Sequence, residues 1–420
     1  MSDSLNERAW RTLFHRHRIL EKIERNGVFY ISANQIKAER EPRLMAKFDH
    51  TINLPKIFAD NGLSILPITR GDYAIAHFDA YHTFEPLTTE IQQVTMPSHI
   101  QSINSSNIPS EAIALNCAIA TGIIADFTDD MDIIPTVSGR MGSGDFNFNI
   151  RDTLTDGQFT VNVSNSQIEI DAAYEGVNYL SLLEAKRDIS DDFLVRQLYY
   201  PYRVWQSRVT KPVKPIFLVY SNGIYHLYEY RFTNPNEYSS IQLVKQKNYS
   251  IEDTEITIED IIGVLDSVKL ESEPQNVPFP QADNFERVIN LCELLNDGDY
   301  DLDKITQNYA FDRRQTFYYL DAGVYLGLIR PRTPKLTDNG TAILQLNYKQ
   351  RQLEYCKRIL SHKAFFEVTK LYFNRGQMPE KSEIVTIMED SNLFNVKSYS
   401  TYNRRASTIR SWVEWIAGLI

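Results

Sequence analysis

The sequence predicts an α+β protein, and three stretches carry that expectation. Residues 110–126, SEAIALNCAIATGIIAD, are small and apolar on every face and open on Ser110, so they predict a capped, buried helix. DFNFNI, QFTVNV and QIEIDAAY, between 145 and 174, alternate apolar and polar side chains, the period of half-buried strands. KPIFLVYSNGIYHLYEYRF (214–232) sets Asn222-Gly223 between two apolar runs, the strongest hairpin signal in the chain.

The remaining elements follow in order. Over residues 5–26, Trp10, Leu13, Phe14, Leu20 and Ile23 recur near a 3.6-residue period, and Asn26-Gly27 closes the predicted helix. GVFYISA (27–33) and GDYAIAHF (71–78) read as strands. PRLMAKFDH (42–50) reads as core or as a DNA-facing loop, and His50, His82, His99 and His226 as structural or surface groups. NYLSLLEAK (178–186) is a near-continuous apolar run, as in a central strand. SDDFLVRQLYYPYRVWQ (190–206) predicts a helix capped by Ser190 or Asp191. Leu194, Leu198, Tyr202 and Trp205 would then pack on the sheet.

ESEPQNVPFPQADN (271–284) holds three prolines and predicts a linker. Beyond it, 285–298, 301–311 and 312–329 read as three helices, and RPRTPKLTDNGTAIL (330–344) as two short strands around an Asp-Asn-Gly turn. Three helices and a β-wing predict a winged helix. Residues 361–373, 380–391 and 398–416 repeat the helices without a clear wing. The expected units are 1–105, 106–272, 281–345 and 346–420.

Composition narrows the function. The formal net charge of −10 argues against a protein that coats nucleic acid indiscriminately. Residues 281–420 hold 19 Lys and Arg against 17 Asp and Glu, so about +2, which leaves about −12 for the first 280 residues. Cys117, Cys292 and Cys356 stand far apart with no zinc-ligand spacing, as expected in a reducing compartment. No signal-peptide h-region and no run of about 18 apolar residues is found. The expectation is a soluble protein of the cytoplasm.

The chemistry is expected where the central strand ends. Glu184 and Lys186, two residues apart, share one strand face, with Ala185 pointing away. Asp171 lies thirteen residues before Glu184. With a turn near Gly176, Asp171 falls on the neighbouring antiparallel strand. Two carboxylates would then bind Mg2+. The metal would activate water against a phosphodiester, with Lys186 orienting or deprotonating that water or stabilising charge on the phosphate.

Asp-(x)12-Glu-Ala-Lys on a hairpin between two helices resembles the PD-(D/E)xK nuclease superfamily. The match covers about 110–232 and differs in having Ile170 where a proline is common. The resemblance implies a restriction-endonuclease-like central mixed sheet flanked by helices, Mg2+ (with Mn2+ able to substitute), and DNA cleavage. It assigns Asp171 and Glu184 to the metal and Lys186 to catalysis. Glu111, Glu169 and Glu175 are possible accessory acids. Gln197 with Tyr200 or Tyr202 is similar to the Gln-Tyr signature of the RecB-like branch, although Pro201 takes the fourth position after Gln197.

The whole also resembles type II restriction endonucleases with C-terminal winged-helix modules. Arg140 and Ser143 in the glycine-rich GRMGSG run are candidate DNA contacts. Arg313, Arg314 and Gln315 suit base edges. Arg332 and Lys335 on the wing, and Arg404 and Arg405 in the last segment, suit phosphates. Double-strand cleavage would call for a homodimer on DNA, and self-protection for a DNA methyltransferase of a prokaryotic cell. The rival expectations are a repair, junction-resolving or modification-dependent nuclease, and a winged-helix regulator without catalysis.

Overall fold

The computed structural model describes residues 4–105, 107–308, 311 and 313–420. Tyr309, Ala310 and Asp312, which the sequence assigns to the second and third helices of the first winged-helix unit, lie outside them.

The architecture is mixed α+β. A seven-stranded sheet forms its centre, made of β1 (Ile91–Gln93), β2 (Ile134–Gly142), β3 (Gln167–Glu175), β4 (Leu180–Lys186), β5 (Val213–Ser221), β6 (Ile224–Phe232) and β7 (Ile241–Ser250). The spatial order is β1-β7-β6-β5-β4-β3-β2. β4 runs parallel to β5, and β1 to β7; every other pair is antiparallel. Two helices flank the motif strands: α1 (Glu111–Ala120) before them and α2 (Arg196–Gln206) after.

The two faces of β4 explain its composition. Leu183 and Ala185 pack with Leu115, Ala118 and Ile124 on one side. Leu180 and Leu182 pack with Ile170, Ala173 and Trp205 on the other. Both faces are covered, so the run is apolar until the strand ends.

The turn between β3 and β4 is tied by Asp130, whose carboxylate accepts the backbone N–H groups of Asn178 and Tyr179 at 3.0 and 2.9 Å. A Cβ on Gly176 would lie 2.3 Å from that carboxylate, so the turn requires glycine there.

Several local expectations change. The first helix is broken at Arg18, which takes a left-handed conformation (φ 50°) between Leu5–His17 and Ile19–Asn26. Ser190 and Asp191 cap nothing: Asp192–Leu194 is a short strand paired with Tyr81–Thr83, and α2 begins only at Arg196. The GRMGSG glycines lie in and just after β2, an edge strand of the sheet. In the wing segment, Ile329 and Leu336 make a single bridge. Asp338-Asn339-Gly340 is no strand turn but the start of the helix Asp338–Leu344, capped by Thr337, whose Oγ1 accepts the Gly340 N–H at 3.0 Å.

The C-terminal third is helical: α3 (Phe285–Asp297), α4 (Arg313–Tyr325), α5 (Tyr348–Leu360) and α6 (Tyr399–Ala417) share one hydrophobic core with the helices Lys363–Arg375 and Lys381–Glu389. The proline-rich segment packs on this core. Phe279 stacks on Phe365, and Trp412 Nε1 donates to Ala282 O at 2.7 Å. No helix among the described residues is long and apolar enough to cross a membrane.

The β5–β6 hairpin tip joins the sheet to these helices. Asn222 and Gly223 take the positive φ values, 52° and 80°, of a two-residue hairpin turn. The Asn222 N–H donates to Glu293 at 2.8 Å, and its Oδ1 accepts from Gln352 at 2.8 Å and Arg351 at 3.2 Å. Removing that side chain leaves buried donors unpaired. Asn222→Ala is therefore expected to lower unfolding free energy by about 2–3 kcal/mol in urea denaturation.

Candidate active site

The sequence-predicted triad converges. The β3–β4 ladder ends at Leu183 and Ala172. One step further, the Ala185 N–H donates to Asp171 Oδ2 at 2.8 Å. Lys186 Nζ sits 2.5 Å from Glu184 Oε1. The same oxygen accepts a 2.6 Å bond from Gln197 Nε2, from the first turn of α2. Gln197 thus reaches the site from the following helix, while its Oε1 is buried without a hydrogen-bond partner.

Burial sets the electrostatics. It pushes the Glu184 carboxyl up to about 8; the Lys186 ammonium opposes the shift and Asp171 adds to it. For Lys186, burial favours the neutral amine. The charges of Glu184, Asp49, Glu111 and Asp171 outweigh burial and hold the ammonium well above its usual range. Glu111, in the first turn of α1, is raised by burial, against the pull of Lys186. It lines the same cleft as Lys186.

The cleft has a volume of about 470 Å³ and draws on distant parts of the chain: Lys47, Asp49 and His50, then Ser110 and Glu111, then Lys186–Asp188, then Asp297 and Tyr300. The chain just past Lys186 is clamped from both sides. His50 Nε2 forms an ion pair with Asp188 Oδ2 at 3.0 Å, and its Nδ1 donates to Asp192 O at 2.5 Å. Burial lowers the His50 pKa, but the bond and charge of Asp188 prevail and raise it, favouring the doubly protonated ring. Arg187 pairs with Asp297, and Asn290 donates to Arg187 O at 2.7 Å.

Other predicted residues lie elsewhere. Glu169 is half-exposed and pairs with Arg140 at 3.1 Å. Glu175 sits at the far, hairpin end of β3 and pairs with Lys211 at 2.9 Å. Ser143 is buried, its Oγ donating to Gly144 O at 2.8 Å. Arg313 and Lys335 hold Asp303 and Asp299 at 3.1 and 3.0 Å. Gln315 follows Arg314 in the first turn of α4, and Arg332 is exposed with φ 64°. Arg314, Arg404 and Arg405 come together on one groove.

His50, Asp188 and Asp297 had no motif to reveal them. His50 is 138 positions from Asp188, and sequence spacing gives no hint of such a pair.

The donor set bears on a metal. Among the described residues no three His, Cys, Asp or Glu side chains are gathered to hold an ion by themselves. Mg2+ is usually bound by one or two carboxylates, with water and substrate phosphate completing its shell. Asp171 and Glu184 fit that requirement, and the unpartnered Gln197 Oε1 beside Glu184 can accept from a bound water.

A pH test follows from the Glu184 shift. Its folded pKa lies above the ordinary 4.5. The proton is therefore held more tightly in the folded chain, and the stability it contributes is lost as pH rises from about 5 through 8. Glu184→Gln lacks this titration. Relative to the variant, the wild type should lose on the order of 2 kcal/mol or more across that window in metal-free urea unfolding. A difference that does not vary with pH would contradict the burial argument.

Three family models match the chain, each described as a domain of unknown function: DUF6996 over residues 7–75, DUF6997 over 76–250 and DUF7226 over 287–420. No curated protein and no solved structure matches it. The triad lies within the second matched segment. The cleft takes residues from all three.

Proposed function

We propose that the chain is a Mg2+-dependent DNA endonuclease of the restriction type, related to the PD-(D/E)xK superfamily. The observation that carries this reading is the meeting of Asp171 and Glu184, from adjacent antiparallel strands, beside the buried ammonium of Lys186. Support comes from the surroundings. The motif hairpin lies between α1, which contributes Glu111 to the cleft, and α2, which contributes Gln197 to Glu184. α2 then leads into β5, parallel to β4, in a mixed sheet.

Asp171 and Glu184 would hold the ion, and Glu184 gives up its proton to do so. The bound metal would polarise the phosphate and acidify a water. Lys186, held as a cation by its acid neighbours, is suited to donate hydrogen bonds to the attacking water and to the phosphate, and is poorly suited to act as a base. Gln197 fixes the Glu184 carboxylate and keeps one oxygen directed by a neutral donor. Lys47 and Glu111 rim the cleft where a scissile strand would enter.

In this reading the C-terminal helices, with Arg313, Arg314 and Gln315 at the head of α4, serve as winged-helix-type duplex readers. Two chains act on the two DNA strands, and a methyltransferase protects the host's sites.

Incubation of purified protein with unmethylated phage DNA tests the reading. Discrete fragments are expected with Mg2+ or Mn2+ and none with EDTA. Lys186→Ala should reduce cleavage by about 100- to 1,000-fold. Gln197→Ala should reduce it by about 10-fold, as loss of a ligand-orienting partner does. DNA binding without cleavage, across several DNAs and divalent metals, would point instead to a regulator.

A further inference from the structure

The groove at the opposite end of α3 from the cleft holds a second concentration of charge. Arg314 and Tyr318 of α4 form one wall, Arg404 and Arg405 of α6 the other, and Lys381 closes one side. The space between them is about 350 Å³. Arg314 stacks on the Tyr318 ring, 5.3 Å from its centroid, and its Nε donates to the Tyr318 hydroxyl. Lys381 Nζ donates to Ser407 Oγ at 3.1 Å. Asp283, the one acid lining the groove, is engaged by Thr408 Oγ1 at 2.6 Å.

These four cations differ from their neighbours. Arg313, Lys335, Arg375 and Arg410 each hold a carboxylate. Among the described residues, no carboxylate lies within ion-pair distance of Arg314, Lys381, Arg404 or Arg405. The Nε of Arg405 is buried with no hydrogen-bond partner. Burial, and then the charge of Arg404, lower the Arg405 pKa to about 10. Like charges crowded on three helices, with a buried donor unspent, are what an anion would relieve. The groove is open and its cations are spread along it, which suits a row of phosphates better than one compact anion.

We propose that this groove binds the phosphodiester backbone of duplex DNA, at a distance from the cleft. The claim rests on the nuclease reading for its choice of polyanion. Asp283 stands at the head of α3 and Asp297 is its last residue. At 1.5 Å per residue the two openings are therefore about 20 Å apart. That is about six phosphates along one strand at 3.4 Å each. The groove thus gives the chain a hold on the duplex outside the cut site.

The test is binding of the full chain to a fluorescein-labelled 30-base-pair duplex in EDTA, over a KCl series. Lys381→Gln/Arg404→Gln changes two exposed side chains, and circular dichroism checks that it folds. Loss of two phosphate contacts should flatten the slope of log K against log[KCl] by about 1.8 and weaken binding at low salt by at least 10-fold. Arg410→Gln, on the same helix but with its cation already paired, should leave both unchanged. A double variant with the wild-type slope and affinity overturns the proposal, as does a wild type that does not bind the duplex. Cleavage in Mg2+, assayed on the same preparations, separates the two claims. A flattened slope with no cleavage by wild type keeps the groove and sinks the nuclease; cleavage with an unchanged slope does the reverse.

Discussion

A buried ammonium has to be balanced, and the site is organised around that need. Lys186 lies at the end of a strand covered on both faces, where an unpaired charge would cost several kcal/mol. Glu184, Asp171, Glu111 and Asp49 surround it, and together they outweigh burial. The balance overshoots: more carboxylates face the lysine than one positive charge can neutralise. Burial at the same place forces the Glu184 carboxyl up, and the charge of Asp171 adds to that shift. A site with a protonated acid, a fixed cation and further carboxylates is electrostatically incomplete, and a divalent cation would complete it.

The same strand end fixes how the chain is assembled. Directly after Lys186, Arg187 and Asp188 are held by Asp297 and Asn290 of α3 on one side and by His50 on the other. Asn290 also donates to Ser221 Oγ, at the hairpin tip that docks among α3 and α5. The N-terminal segment, the sheet and the C-terminal helices therefore meet within a few residues of Lys186. Residues from three segments matched by three separate family models thus line one cleft.

Much of the site was legible in the sequence because strand geometry is periodic. An apolar strand ending in Glu184-Ala185-Lys186 forces the acid and base onto one face, and an acid thirteen residues earlier across a turn must return near them. The Asn222-Gly223 hairpin and the buried helix after Ser110 were legible for similar local reasons. What the sequence hid depends on tertiary contact. Ser190 and Asp191 looked like caps because capping chemistry is local, yet strand pairing with Tyr81–Thr83 kept the chain extended. Asp338-Asn339-Gly340 looked like a hairpin turn. Its glycine serves another purpose, since a Cβ at Gly340 would lie 2.2 Å from the Leu328 carbonyl oxygen. His50 could not be found at all, because its partner comes from a segment 138 positions away.

The central claim is that Asp171 and Glu184 hold a divalent cation. Titration of the metal-free protein with Mn2+, followed by electron paramagnetic resonance of the free ion, addresses it without requiring a cleavable DNA site. The account predicts one bound Mn2+ per chain at pH 8, weakened at least 10-fold in Asp171→Asn and displaced by excess Mg2+. Binding of the same strength in wild type and Asp171→Asn, or no binding with or without duplex DNA, would contradict it.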